Sequence, residues 1–230
     1  MAVPNLGYLL VLPKFDYFAP KIVEEACSLL SQYQGKAKIL AGGTDLLVSM
    51  KKRDISPRYL INIKSIPGLD YIKYSQEDGL KIGALATLHS VACSPIIKER
   101  FTILATACNK IGTLQVRNMG TIGGNICNGG PSQDSTPALL VLQAKLKLVS
   151  SQGQRIIPID QFFISPFKTV LGEAELLTEI QIPTPPPRSA GSYHWLTKIN
   201  FDDETLVGVA TLLEADRKGE FCKDVRIGLC

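Results

Sequence analysis

Two glycine pairs in the sequence have the residue types of phosphate-binding loops. Residues 41–45 read AGGTD and lie between a predicted strand and a predicted helix, and residues 121–125 read TIGGN. Adjacent glycines let the backbone approach a ligand closely, and consecutive N–H groups in such turns form concave anion sites. A helix that begins nearby adds the positive end of its dipole, and Thr44 and Thr121 can donate hydroxyl hydrogen bonds. Two such loops could hold a pyrophosphate from both sides.

Each glycine pair, taken alone, is also compatible with an ordinary turn, because Gly-Gly is common in turns. Neither segment matches the dinucleotide-binding GxGxxG or the phosphate-binding GxxxxGK[ST] pattern. The sequence also has no GxSxG and no HExxH, the patterns of a serine nucleophile and of a zinc-binding helix.

The composition favours a globular protein with no membrane span. The chain has 230 residues, of which 45% are hydrophobic, enough for a buried core and for two or three small domains. The net charge of +4 is spread along the chain without a basic block, which gives little support to nucleic-acid or membrane-surface binding. With no signal peptide and no apolar run of about 20 residues, we expect a cytoplasmic protein.

The cysteines and histidines do not suggest a metal site. The six cysteines form no CxxC pair, and a zinc or iron–sulfur centre needs several converging ligands. We expect six reduced thiols, as is usual in the cytosol. No predicted partner lies beside His89 or His194, so both are expected to be structural or solvent-facing.

Hydrophobic periodicity and turn residues predict a mixed α+β chain. A proline-rich segment at 183–187 is the best linker candidate, and 206–213 is apolar but ambiguous. Residues 120–130 are predicted as a glycine-rich loop. The predicted helices are 20–33, 44–50, a short helix capped by Thr87, 95–111 and 134–143; the predicted strands are 38–41, 58–63, 71–74, 80–84, 146–149, 155–158, 176–183, 193–199 and 225–229.

The wider context of the two glycine pairs resembles one protein family. Residues 39–47 read ILAGGTDLL and residues 115–128 read QVRNMGTIGGNICN. Together they resemble the FAD-binding medium subunits of the molybdenum hydroxylases, which include the carbon monoxide dehydrogenase flavoprotein and the flavin domain of xanthine dehydrogenase. The resemblance extends from about residue 15 to the end of the chain.

The resemblance implies a fold of the α+β class. It is the two-subdomain FAD-binding fold of the vanillyl-alcohol oxidase and carbon monoxide dehydrogenase flavoprotein type, with a partial C-terminal α+β domain. We expect an N-terminal FAD-binding subdomain at 1–60, a second FAD-binding subdomain at 61–187 and an incomplete C-terminal domain at 188–230. The family usually continues beyond the position of Cys230. Some relatives carry a cysteine-rich insertion for an additional iron–sulfur cluster, and no such insertion is present here.

The resemblance also assigns roles in the FAD site. The segments 39–46 and 121–125 would hold the pyrophosphate, Asp134 would accept hydrogen bonds from FAD hydroxyl groups, and Leu177 would pack on the isoalloxazine ring. Lys198 would lie beside the polar edge of that ring. The complete set of expected cofactor-binding residues is Ile39, Leu40, Ala41, Gly42, Gly43, Thr44, Asp45, Leu46, Ile111, Thr121, Ile122, Gly123, Gly124, Asn125, Asp134, Leu177 and Lys198.

Three of these roles have simpler alternatives. Leu177 could be an ordinary core residue, Lys198 could be a solvated strand residue, and Asp134 could only cap the helix that follows it.

As a function, the resemblance implies an FAD-binding electron-transfer subunit that does not act on substrate alone. Electrons would arrive from the 2Fe-2S clusters of a small subunit, after substrate oxidation on a molybdopterin large subunit, and would leave to an external acceptor. The assembly would be a dimer of heterotrimers. The alternatives are a stand-alone FAD-dependent oxidase or reductase of the same fold superfamily, and a non-catalytic module that has lost the flavin.

Overall fold

A parallel three-stranded sheet with two helices carries the first glycine pair. The computed structural model describes residues 11–199, 204–216 and 218–230. The strand order is β1-β3-β2, and residues 41–45 follow the carboxyl end of β2. The elements of this part are β1 (Asp16–Phe18), α1 (Val23–Gln32), β2 (Ala37–Leu40), α2 (Leu46–Lys52) and β3 (Tyr59–Asn62).

Helix α1 is amphipathic, as its apolar spacing predicts, and it buries Ala26, Cys27 and Leu30. Helix α2 begins at Leu46, two residues later than the predicted start at 44. Its N-cap is Asp45, and no side chain caps it. The N-terminal end of α2 therefore keeps its N–H groups available.

A five-stranded antiparallel sheet forms the centre of the molecule, in the order β4-β5-β10-β6-β7. The predicted turn at Asp78-Gly79 is confirmed, with Gly79 at φ 77°, which a side chain would resist. A two-stranded ribbon, β8 with β9, lies between β7 and β10 along the chain. The strands are β4 (Ile72–Ser75), β5 (Gly79–Gly83), β6 (Lys145–Ser150), β7 (Gly153–Pro158), β8 (Phe163–Ser165), β9 (Lys168–Thr169) and β10 (Leu176–Ile182).

Six short helices connect β5 to β6. They are α3 (Leu88–Cys93), α4 (Pro95–Arg100), α5 (Thr102–Lys110), α6 (Leu114–Met119), α7 (Ile122–Asn128) and α8 (Ser135–Val141). The single helix predicted at 95–111 is wrong. It breaks at Phe101, whose backbone leaves the helical region (φ −132°, ψ 43°) while its ring is buried against Tyr74.

The predicted glycine-rich loop at 120–130 is also wrong, because most of it is helix α7. The Thr121 hydroxyl accepts a hydrogen bond from the Gly124 N–H at 3.1 Å and so caps the helix. Neither Gly123 nor Gly124 has a positive φ. Gly123 serves close packing against Ala84 rather than a left-handed turn.

A three-stranded antiparallel sheet, β11 (Ser189–Thr197), β12 (Thr205–Ala215) and β13 (Cys222–Leu229), follows the proline-rich segment. The ambiguous apolar segment 206–213 is therefore a strand. One face of this sheet packs on α5 and α8, and Tyr193, Ala210 and Leu212 join the main core beneath the central sheet. Within the described residues, no helix is both long and apolar enough to cross a membrane.

Candidate functional site

The two glycine segments lie directly against each other. A Cβ atom at Gly42 would collide with the Met119 carbonyl oxygen and would lie 2.8 Å from the Gly120 Cα atom. A Cβ atom at Gly120 would in turn lie 3.5 Å from the Thr44 hydroxyl oxygen. The turn after β2 therefore meets the chain just before α7, which is the juxtaposition that the sequence predicts.

A cleft of about 430 Å³ opens where these segments meet. One wall comes from the N-terminal sheet, with Ala41 and residues 64–67. The other comes from the starts of α3 and α7, with Thr87 and Thr121, which are also joined by a β-bridge. Its position beyond the carboxyl end of a parallel strand is usual for ligand sites in α/β sheets.

The first segment offers unpaired hydrogen-bond donors. Within the part of the chain that the structure describes, no acceptor pairs with the backbone N–H groups of residues 42–45. Gly43 takes φ +80°, a conformation that side chains rarely adopt. Consecutive free N–H groups before a helix form a concave site for an anion.

The second segment differs, because its own N–H groups are already used. The Ile122 and Gly123 N–H groups donate to the Ala86 and Ala84 carbonyls, both at 3.0 Å. The Gly124 N–H donates to the Thr121 hydroxyl, which lines the cleft and keeps its own proton available. Segment 42–45 therefore supplies the backbone donors, and segment 121–125 supplies shape and one hydroxyl group.

Asp134 is buried, with 5% of its surface exposed, and it does not cap helix α8 through its side chain. Its Oδ1 atom accepts hydrogen bonds from the Tyr193 hydroxyl at 2.5 Å and from the Thr205 hydroxyl at 2.7 Å. Burial, followed by the bond to Asp134, raises the pKa of Tyr193 well above its usual range. The alternative that Asp134 only caps the helix that follows it is therefore wrong.

Asn125 connects helix α7 to this region. Its side-chain oxygen accepts a hydrogen bond from the Ser135 hydroxyl at 2.6 Å, and the Gln133 side chain donates to its carbonyl oxygen. The two segments that the sequence marks, 121–125 and the residues around Asp134, thus form one hydrogen-bonded unit.

Of the predicted site residues, Ala41 and Thr121 line the cleft, and the rest lie outside its lining. Leu177 is 3% exposed and belongs to the main core, on β10. Ile111 ends α5, and its carbonyl oxygen accepts from the Arg117 guanidinium group at 3.2 Å. Lys198 is exposed beyond β11. Of the remaining residues, Leu40 is buried, Ile39 and Leu46 are half-buried, and all three flank the 41–45 turn.

Sequence reasoning missed several residues of this region. Lys64 and Ser65 line the cleft but belong to no recognisable sequence motif. Thr87 was predicted only as a helix cap, which its 3.0 Å bond from the Ser90 N–H confirms. Tyr193 and Thr205 bind Asp134 from 59 and 71 residues away, a distance over which a single sequence gives no signal.

The geometry suits a cofactor that carries a pyrophosphate. The free N–H groups of 42–45 directly follow Ala41, which lines the cleft, and the Thr121 hydroxyl lies in the cleft lining itself. Both are donors suited to phosphate oxygens. Residues 13–185 match the family model described as "FAD binding domain in molybdopterin dehydrogenase". The chain belongs to this family.

Known proteins agree with this assignment. The chain is 37% identical to the carbon monoxide dehydrogenase medium chain of Hydrogenophaga pseudoflava over 222 residues, which cover 96% of this chain and 75% of that one. It is 34% identical to a putative xanthine dehydrogenase FAD-binding subunit of Escherichia coli, covering 78% of this chain and 61% of that one. A solved carbon monoxide dehydrogenase from H. pseudoflava superposes with a TM-score of 0.91 at 36% identity, covering 96% and 75% of the two chains. The family and the α+β fold predicted from the sequence are confirmed.

Proposed function

We propose that this chain is the FAD-binding electron-transfer subunit of a molybdenum hydroxylase. The observation that carries the proposal is the row of free N–H groups at 42–45, set against the start of α7 within the family match. In this role the chain takes electrons from the 2Fe-2S clusters of a partner subunit and passes them to an external acceptor.

Each part of the site has a role in holding the cofactor. Residues 42–45 and Thr121 bind the pyrophosphate, and Asp134 accepts hydrogen bonds from FAD hydroxyl groups. Ile111 gives apolar surface to the ring, and the buried Leu177 belongs to the core on which Ile111 packs. Lys198 lies toward the polar edge of the ring. Bound FAD supplies the redox chemistry, and the protein supplies binding, orientation and electrostatics.

The cleft favours electron transfer over a stand-alone oxidase or reductase. Such an enzyme needs a substrate pocket with its own base. Among the described residues, the cleft lining contains no histidine, tyrosine or arginine. Its ionisable side chains are Lys64 and Asp70, and both are solvent-exposed.

The partners follow from the proposed role. They are a 2Fe-2S small subunit and a molybdopterin large subunit, assembled as a dimer of heterotrimers in the cytoplasm. The names of the relatives support this, because "medium chain" and "FAD-binding subunit" describe components of larger enzymes.

Titration with FAD tests the proposal on the isolated chain. We expect one FAD to bind per chain with a Kd of about 1 µM or lower. The quenching of flavin fluorescence measures this binding. Denaturation should release all of the flavin, because the binding is non-covalent. A chain that takes up no FAD would be the non-catalytic module instead, and a flavin that stays attached after denaturation would contradict the site as described.

A second prediction concerns Lys198. The variant Lys198→Ala should keep FAD but lower its midpoint potential, because an ammonium group near the ring favours the more negative reduced form. Since Lys198 is exposed in the isolated chain, screening limits the effect to roughly 10–30 mV. Lys218, which is also exposed, provides the control as Lys218→Ala. Equal potentials in Lys198→Ala and wild type would remove Lys198 from the site.

A further inference from the structure

The two hydroxyl groups that bind Asp134 come from a different part of the chain. Tyr193 lies on β11 and Thr205 on β12, whereas Asp134 directly precedes α8. Both donors lie beyond residue 185, where the family match ends. The Asp134 interaction therefore joins the FAD-binding domain to the C-terminal sheet.

The structure is arranged to preserve this contact. A Cβ atom at Gly208 would collide with the Tyr193 hydroxyl, so glycine at this position leaves the hydroxyl its space. Tyr193 and Thr205 are each 4% exposed. A buried carboxylate is costly unless donors satisfy it, and two hydroxyl groups that converge on Oδ1 do so while they fix the position of that oxygen.

An apolar contact would dock the sheet on α8 without the cost of burying a charge. A carboxylate at this interface is better explained by a ligand that needs it. We propose that Tyr193 and Thr205 are positioning residues of the cofactor site, which hold the Asp134 carboxylate where it accepts hydrogen bonds from FAD hydroxyl groups. This inference rests on the proposed function. It makes the C-terminal sheet a functional part of the FAD site.

Four single variants of the full chain test the proposal by FAD titration. Tyr193→Phe and Thr205→Val each remove one hydroxyl group with little change of shape, and each should raise the Kd for FAD about tenfold. Thr205→Ser keeps a hydroxyl group and should bind FAD like wild type. Thr211→Val is the matched control on the same strand, because the only hydrogen-bond partner of the Thr211 hydroxyl among the described residues is the Ser192 hydroxyl, at 3.3 Å.

A double-mutant cycle separates positioning from general destabilisation. If Tyr193 acts through Asp134, then Tyr193→Phe should raise the Kd in wild type but cause no further rise in an Asp134→Ala background. Unfolding curves of each variant without FAD show which variants are folded. If Tyr193→Phe is unstable, the same cycle is measured with Thr205→Val, the mildest change, in its place.

The other outcomes overturn the inference in distinguishable ways. An equal rise of the Kd in the wild-type and Asp134→Ala backgrounds would show that Tyr193 does not act through Asp134. Wild-type affinity in both Tyr193→Phe and Thr205→Val would show that Asp134 needs no positioning. If wild type binds FAD and Asp134→Ala binds it equally well, this inference alone fails. If wild type binds no FAD, the proposed function fails with it.

Discussion

The variant Gly124→Val is expected to lose FAD binding while the chain stays folded. Gly124 lies in the first turn of α7, and a Cβ atom there would lie 3.9 Å from the Ala41 Cβ atom. A branched side chain at this position would enter the space between the two glycine segments. We expect the Kd for FAD to rise roughly 100-fold or more, because the pyrophosphate and the side chain compete for that space.

The fold should tolerate this change. The neighbouring atom within 3 Å of the added Cβ is the Thr121 hydroxyl oxygen, at 2.9 Å, and this side chain can turn away. Loss of that helix cap costs about 1 kcal/mol. Titration with FAD, together with the unfolding midpoint of the FAD-free chain, checks both parts. Retention of one tightly bound FAD would show that the pyrophosphate does not lie here.

The variant Gly123→Val is expected to fail for a different reason. A Cβ atom at Gly123 would lie 2.7 Å from both the Cβ and the carbonyl oxygen of Ala84. Ala84 is buried beside the central sheet, and its carbonyl also accepts the Gly123 N–H, so its backbone cannot move aside easily. We expect the free energy of unfolding to fall by about 3 kcal/mol or more, or folding to fail.

The two variants control for each other, since they place the same side chain at adjacent positions of one helix. Urea unfolding of the FAD-free chains should separate them clearly, with Gly123→Val far less stable than Gly124→Val. Equal stability would mean that α7 does not pack on Ala84 as described.

The phosphate-binding role of the glycine pairs could be predicted from the sequence, because it depends on residues that are adjacent in the chain. The turn at 41–45 depends on residues that are adjacent in the chain, and a family resemblance adds its partner segment. The conformation of residues 122–128 could not be read in the same way. Glycine disfavours helix, yet the Thr121 cap and the packing of Gly123 on Ala84 outweigh that preference.

The surroundings of Asp134 were beyond prediction for a similar reason. Its place before a helix favours a capping role, and only the folded chain brings the Tyr193 and Thr205 hydroxyl groups to it. The break at Phe101 likewise depends on tertiary packing, because the ring is buried in the main core. Local patterns predicted most elements here, and long-range contacts decided the exceptions.

Rapid mixing of substrate with the FAD-loaded chain is the most direct test of the proposed function. Dithionite should bleach the flavin absorbance of the isolated chain, whereas xanthine, an aldehyde or carbon monoxide should not. With the 2Fe-2S and molybdopterin subunits present, the substrate of the complex should bleach the flavin at a rate of roughly 1–1,000 per second, the range of ordinary enzyme turnover. Bleaching at such a rate by one of these substrates with the isolated chain would contradict the electron-transfer assignment and establish a stand-alone enzyme.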